Sequence, residues 1–263
     1  MPLRGPNLFS IVLILLLHLP LVPSSTSQLR YTLSAFHPTE SLTYKVKWSF
    51  IRLGTLTVQQ EPADTTFPEY MNVWLNGESS VPLVDVFFKS VSLLHRDNPT
   101  SWLYELQSGR SASVITAYIY DPENIRMFGM EYANGESTRL DTLAAPVPYY
   151  DGVGLFMYAR AASGSDTSVS LPTIMDFQMG KTNITFTSQS DSVEIDAFDG
   201  YVPAYLFTGF TEWTGSSFAG MTGDFRGWVS RDSARTVLRA EVKIVIGSVV
   251  IELERWRTRE KRD

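Results

Sequence analysis

Cysteine is missing from the 263-residue sequence. Its absence excludes disulfide bonds, a thiolate nucleophile, cysteine-ligated zinc or iron–sulfur centres and a lipidated N-terminal cysteine, so the protein is not expected to be a lipoprotein. Hydrophobic residues make up 44% of the chain and aromatic residues 13%. A packed hydrophobic core is therefore expected to hold the fold without covalent cross-links.

Histidine is scarce as well, with three residues, which limits general-base and metal chemistry. His18 lies in an apolar N-terminal run, His37 precedes Pro38, and His95 precedes the turn-like segment 96–99. No Gly-x-Ser-x-Gly elbow, calcium loop, paired histidines at ligand spacing or glycine-rich phosphate loop occurs. We therefore predict no catalytic residues, no metal site and no cofactor, and the pattern favours a non-enzymatic protein over a hydrolase.

The balance of charges is moderately acidic, with 28 acidic and 22 basic residues and a net charge of −6. An acidic chain repels phosphate backbones, so nucleic-acid binding is not expected. Four acidic residues lie close together and could supply a glycoside-hydrolase pair, but a solvated strand face explains them with fewer assumptions. These residues are Asp191, Glu194, Asp196 and Asp199.

The first residues are typical of a secretory signal peptide. Arg4 provides a positive start, residues 8–22 are almost wholly apolar, and Ser25-Thr26-Ser27 supplies the small residues of a cleavage site, so we predict a signal peptide over residues 1–27. An uncleaved anchor is the alternative, but the apolar run is shorter than the roughly 20 residues that span a bilayer. The mature chain is expected to lack a transmembrane span and to lie in a bacterial periplasm or on the outer membrane.

Alternation of apolar and polar residues predicts strands along most of the mature chain. From Leu42 to Phe50 every second residue is apolar, as in a strand with one buried face. Further strands are predicted by β-branched and aromatic segments, with tight turns at Asn76-Gly77, Asn134-Gly135 and Asp199-Gly200. The segments are 70–75, 83–91, 102–107, 113–120, 125–132, 182–187, 193–198, 202–208, 226–230, 236–246 and 248–256.

One interval departs from this pattern, because residues 151–162 combine helix formers with apolar residues three and four apart. We predict a single short helix there, followed by a polar loop over residues 163–170. That loop lacks the character of an interdomain linker, so residues 28–263 are expected to form a single domain. The predicted fold is an all-β curled antiparallel sheet, an open or unclosed barrel, with one helix.

Aromatic residues are concentrated on the faces that this alternation turns inward. In a curled sheet such side chains either fill the interior or line a cavity for an apolar guest. We predict a ligand-binding face formed by Tyr44, Trp48, Tyr118, Tyr205 and Trp228, with a lipid or lipoprotein chain as the ligand. The alternative is a structural or interaction module of the cell envelope with a filled core and a protein partner.

Four segments, taken together, resemble a known bacterial exported family, domain of unknown function 3108 (DUF3108). The segment from Phe36 to Gly54 is similar to the opening of that family, and Tyr120-Asp121 is similar to a strand that ends in an aromatic–Asp pair. Residues 151–160 resemble its helix, which starts with Asp and ends with Arg. Residues 228–232, with Arg235, Gly247 and Glu252-Leu253, resemble its closing strands.

The resemblance implies a periplasmic, mostly antiparallel curled sheet without a known activity. Two departures are visible: Gly152 and Gly154 stand where the family has better helix formers, and the loop 163–170 looks longer than usual. Ser230 and Asp232 match the family, and their chemistry is that of a turn, because both side chains bond local backbone readily.

Overall fold

A computed structural model describes residues 36–63, 67–79, 81, 87–109, 114–133, 136–145, 148–175, 178–198, 200–212, 223–244 and 247–258. The predicted signal peptide, residues 1–27, and the predicted turn at Asn134-Gly135 lie outside these ranges. Within them the chain forms fourteen strands and one helix. None of the helical structure in these ranges is long and apolar enough to cross a membrane.

Helix α1 is Gly152–Ala162. The strands in chain order are β1 Glu40–Trp48, β2 Ile51–Pro62, β3 Tyr70–Ser79, β4 Phe87–His95, β5 Ser101–Ser108, β6 Val114–Asp121, β7 Arg126–Ala133, β8 Glu136–Ala144, β9 Thr167–Met175, β10 Gln178–Glu194, β11 Tyr201–Thr211, β12 Gly223–Ser230, β13 Val237–Lys243 and β14 Ser248–Thr258.

All fourteen strands belong to one antiparallel sheet in the order β8-β7-β6-β5-β4-β3-β2-β1-β14-β13-β12-β11-β10-β9. The first and last strands of the chain, β1 and β14, pair at its middle, while β8 and β9 form its two edges. The sheet is not closed into a barrel, and α1 connects the two edges in sequence. The predicted curled antiparallel sheet with one helix near residues 151–162 is confirmed.

Three local predictions are wrong. Asn76-Gly77 lies inside β3 rather than in a turn. The glycine there makes room for the ring of Phe88, since a Cβ on Gly77 would lie 2.2 Å from Phe88 Cε1. The predicted loop 163–170 already contains the start of β9 at Thr167. Residues 193–198 form no separate strand, since β10 runs on to Glu194 and then turns.

Strand register defines the two faces of the sheet. Tyr44 pairs with Leu253, and both are buried against α1 and the core, so this is the inner face. Their neighbours Lys45 and Glu252 pair on the outer face, and Glu252 pairs in turn with Arg239 of β13. Polar and apolar rows alternate because successive side chains of a strand point to opposite faces.

The start of α1 is fixed by Asp151. This carboxylate caps the helix by accepting a 2.8 Å hydrogen bond from Gly154 N, and it accepts a second, of 2.6 Å, from Ser92 Oγ on β4. A Cβ on Gly154 would lie 2.8 Å from Pro99 O. Gly154 therefore allows the first turn to approach the 99–101 segment, which explains a weak helix former at this position.

The end of α1 is fixed by Arg160, whose side chain is fully buried. Its guanidinium forms a 2.7 Å ion pair with Glu40 of β1 and donates to the carbonyls of Ala234 and Arg235 at 2.8 and 2.9 Å. It also lies 4.3 Å from the ring centroid of Phe36. One side chain thus ties the end of the helix to β1, to the segment before β1 and to the β12–β13 connection.

The β12–β13 connection is shaped to present those carbonyls. Ser230 Oγ donates to Asp232 at 2.7 Å and accepts from Thr236 N at 2.8 Å, and Arg235 adopts a left-handed φ of 48°. Arg235 also donates to Ser163 O just beyond α1. The turn expected at Ser230 and Asp232 is therefore present, and it receives the end of the helix.

Tyr149 and Tyr150, which precede α1, form β-bridges to two strands that are distant in the sheet. β5 pairs with β6 from Gln107 to Leu103, and Ser101 of β5 then pairs with Tyr149 instead of with β6. Tyr150 then bridges in parallel to Thr173 of β9. Because β5 and β9 lie far apart in the sheet order, these bridges draw the curled sheet together without β8–β9 pairing.

Replacing Arg160 with Met should lower the free energy of unfolding by about 3–5 kcal/mol, because the buried carboxylate of Glu40 loses its counter-charge. Arg52→Met, which breaks the exposed pair with Glu254, should cost less than about 1 kcal/mol. Urea unfolding measures both. A Glu40→Gln change added to Arg160→Met should recover part of the loss, and equal costs for Arg160 and Arg52 would contradict this role.

Candidate functional site

The predicted ligand-binding residues do not form one surface. Tyr44 is 1% exposed and packs edge-to-face with Phe156 of α1, with 6.2 Å between ring centroids. Burial raises the pKa of its phenol far above 10, and its hydroxyl has no hydrogen-bond partner within the described ranges. The space in front of Tyr44 is therefore filled by the helix.

Tyr205 and Trp48 lie at different margins of the inner face. The Tyr205 ring contacts the guanidinium groups of Arg231 and Arg235, each 5.3 Å from its centroid, and lies against Gly164 behind α1. Trp48 ends β1 and is 37% exposed. The inward alternation predicted to continue to Phe50 stops here, because Phe50 lies in the β1–β2 turn and is 90% exposed.

Trp228 lies on the outer face, so the expectation that it points inward is corrected. It pairs with Arg239, which pairs with Glu252, and both belong to the polar row opposite the core. Its indole Nε1 donates to Asp191 at 2.9 Å. Trp228 is nevertheless only 8% exposed and belongs to the same cluster of buried residues as Tyr44.

Tyr118 belongs to a second apolar cluster, separate from the main core and formed where the two halves of the sheet approach each other. Its buried members are Tyr118, Tyr120, Met127, Ala145, Tyr149 and Ile174, and Trp102, Tyr104, Leu143 and Met179 pack against it partly exposed. We call this set the second cluster. Its residues come from β5 to β8 on one side, from β9 and β10 on the other, and, for Ala145 and Tyr149, from the connection between β8 and α1.

Two half-buried aromatic residues mark the accessible part of the second cluster. Tyr104 stacks on Tyr118 with ring centroids 5.5 Å apart, and Trp102 packs edge-to-face on Tyr120 at 5.6 Å. Sequence reasoning missed both as site residues, although each lies in a predicted strand. Trp102 sits at a β5 bulge, and no alternation pattern foretells which strands such residues meet.

The groups weighed for catalysis have local structural roles. His95 Nδ1 accepts a hydrogen bond from Asp97 N at 3.2 Å, and His37 Nδ1 contacts Thr39. Asp191 accepts from Trp228, and Asp196 pairs with Lys45. Within the described ranges no group of three or more His, Asp or Glu residues is arranged to hold a metal ion.

A cluster of ion pairs on the outer face is centred on Glu252. Glu252 is 2% exposed and pairs with Lys45 at 2.8 Å and Lys47 at 2.9 Å. Burial alone would raise the pKa of Glu252, but hydrogen bonds from Lys45, the Asp196 amide and Lys47 outweigh it and lower this pKa to about 2. The carboxylate stays ionised and joins β1 to β14 and the β10–β11 turn.

Glu252→Gln should lower the free energy of unfolding at pH 7 by on the order of 3 kcal/mol. The folded pKa of about 2 lies below the ordinary 4.5, so this stabilisation is complete above pH 4.5 and is lost as pH falls towards 2. Urea unfolding measured between pH 7 and pH 3 should show that the free energy of unfolding decreases less with falling pH in the variant than in the wild type. Glu194→Gln, at an exposed site, serves as the control and should leave both quantities unchanged.

The comparisons with known proteins agree with this architecture. A beta-barrel-like protein of domain of unknown function DUF1849 from Brucella abortus has a similar crystal structure, with a TM-score of 0.56 and 8% sequence identity over 86% of this chain and 99% of that chain. At this identity the likeness shows the fold alone. No curated protein matches the chain.

The segments in which the family resemblance lies are those that build the sheet and anchor its helix. The model of the family described as "Protein of unknown function (DUF3108)" matches residues 43–254. Because this match extends from β1 to β14 and covers most of the sequence, the chain belongs to the DUF3108 family.

Proposed function

We propose that the protein is an exported, non-catalytic protein of the cell envelope that binds an apolar ligand, a lipid or lipoprotein chain, at the second cluster. The observation that carries the proposal is the pair Trp102 and Tyr104, which pack against this cluster while remaining partly exposed. Aromatic side chains that are half-buried beside an apolar interior offer contact area to a hydrophobic guest.

The composition of the second cluster suits an apolar guest. It combines tyrosine rings with Met127 and Met179, whose flexible thioether chains adapt to irregular ligands. The cluster also lies between two parts of the sheet that share no strand pairing, apart from the bridges at Tyr149 and Tyr150. Apart from these bridges, the two parts meet through side chains, so a guest can enter between them without breaking a strand ladder.

The main core, where the alternation of aromatic residues predicted the ligand, is a less suitable place for it than the second cluster. Helix α1 occupies the inner face beside Tyr44, and its Val153, Met157 and Ala161 are each no more than 2% exposed. A ligand there would have to displace the helix and break the ion pair of Arg160 with Glu40. We therefore assign the ligand to the second cluster and regard Tyr44 as a packing residue.

A second candidate is a structural or interaction module with a filled core, favoured by the complete burial of the main core. The free edge of β8 is a poor docking strand, however. It carries charges at Glu136, Arg139 and Asp141 and a bulge at Leu140, features that discourage edge pairing. The carrier function accounts better for the partly exposed aromatic pair.

Tyr104→Ser should reduce the amount of co-purified apolar ligand several-fold, because it removes the ring that stacks on Tyr118. Native mass spectrometry of protein purified gently from its own envelope measures the bound fraction. Tyr201→Ser removes a 70% exposed tyrosine on β11 outside the cluster and should leave the ligand in place. Wild-type protein that carries no lipid in this measurement would refute the carrier function and leave the structural module.

A further inference from the structure

Large hydrophobic side chains are exposed unevenly over the described part of the protein. Nine have exposed fractions of 37% or more, and three of these nine, Trp48, Phe50 and Ile51, lie within four consecutive residues. Single exposed apolar residues are ordinary on protein surfaces, but a contiguous group marks a contact surface. We call these three residues the β1–β2 tip.

The β1–β2 tip is a convex projection. Trp48 pairs with Ile51, so the connection is a two-residue turn of Ser49 and Phe50, and Ser49 has a φ of 55°. Gly, Asn, Asp and Ser are the residues that turn geometry favours, and no turn requirement explains Phe50. Its ring is 90% exposed at the apex of the turn.

The cations that flank the tip are already neutralised. Lys47 pairs with Glu252 at 2.9 Å, Arg52 pairs with Glu254 at 2.8 Å, and Lys243 on the adjacent hairpin pairs with Asp224 at 3.1 Å. Although the chain has a net charge of −6, the surroundings of the tip are therefore close to neutral. Such surroundings neither repel an anionic surface nor depend on one.

We propose that the β1–β2 tip docks the protein on the surface of a lipid bilayer, with Phe50 inserted below the headgroups and Trp48 at their level. The three exposed side chains offer roughly 300 Å² of contact area, judged from the size of aromatic side chains. A stable protein–protein interface needs about 800 Å² on each partner. A bilayer requires no complementary pocket, and Trp is the side chain that bilayer interfaces favour. Docking is independent of whether the second cluster holds a guest.

The absence of cysteine permits a site-specific test. The variant Phe50→Cys and the control variant Leu140→Cys are each purified in their natively processed form. Each is then labelled with an environment-sensitive, thiol-reactive fluorophore. Leu140 is a 44% exposed residue on β8, away from the tip. On addition of phosphatidylcholine vesicles, emission at position 50 should shift to the blue and be quenched by brominated lipid, while position 140 should not respond. No shift at 50, or equal shifts at both positions, overturns the proposal.

Vesicle flotation provides the second measurement. Phe50→Ser combined with Ile51→Ser should weaken binding to phosphatidylcholine vesicles at least about tenfold, from the apolar area removed. The matched control, Ile125→Ser with Leu140→Ser, removes two exposed aliphatic residues elsewhere and should bind as the wild type does. Unchanged thermal unfolding of both variants checks their folding.

The two measurements separate a bilayer from other partners. Binding to neutral vesicles that persists at physiological salt supports docking by the tip, because the flanking cations are paired. Binding that requires anionic lipid and disappears in salt would overturn it in favour of an electrostatic surface. Wild-type protein that fails to float with any vesicle would also overturn it and indicate a protein partner.

Discussion

The fully buried guanidinium of Arg160 is the constraint around which the rest of this structure is arranged. A charge without water must find an opposite charge and partners for its remaining donors, and Glu40 and the carbonyls of residues 234 and 235 supply them. These partners come from the first strand and from the β12–β13 turn. Satisfying one side chain therefore sets the position of α1 against β1 and against the β12–β13 turn.

The motifs of the family resemblance acquire a physical meaning from this arrangement. Asp151 caps α1, Arg160 anchors its end, and Ser230 with Asp232 folds the turn that receives it. Asp121 accepts hydrogen bonds from Glu123 N and Asn124 N and closes the β6–β7 turn. The polar side chains of these motifs stabilise the fold, while Tyr120, which precedes Asp121 in the same motif, is a buried member of the second cluster.

The aromatic residues of the inner face differ in their packing. Those beneath α1, such as Tyr44, complete the core, whereas in the second cluster Tyr118, Tyr120 and Tyr149 are buried and Trp102 and Tyr104 are partly exposed. A third group protrudes at the β1–β2 tip, where Phe50 contacts little of the protein. Aromatic residues of this chain thus differ in burial according to where the strand register and the helix place them.

The period of apolar residues, two along the strands and three to four along the helix, was sufficient to derive a curled antiparallel sheet, its single helix and most strand positions, because this period is a local property of the chain. It could not derive β8 or β9. β8 carries several exposed charged residues and β9 is polar and contains a proline, so neither shows a clear alternation of apolar and polar residues. Nor could it show which face of the sheet Trp228 lies on, or that Trp102 and Met179 pack against the same cluster. Bulges reverse the facing of later residues, and contacts between strands some 70 positions apart depend on how the whole sheet curls, which only the tertiary structure decides.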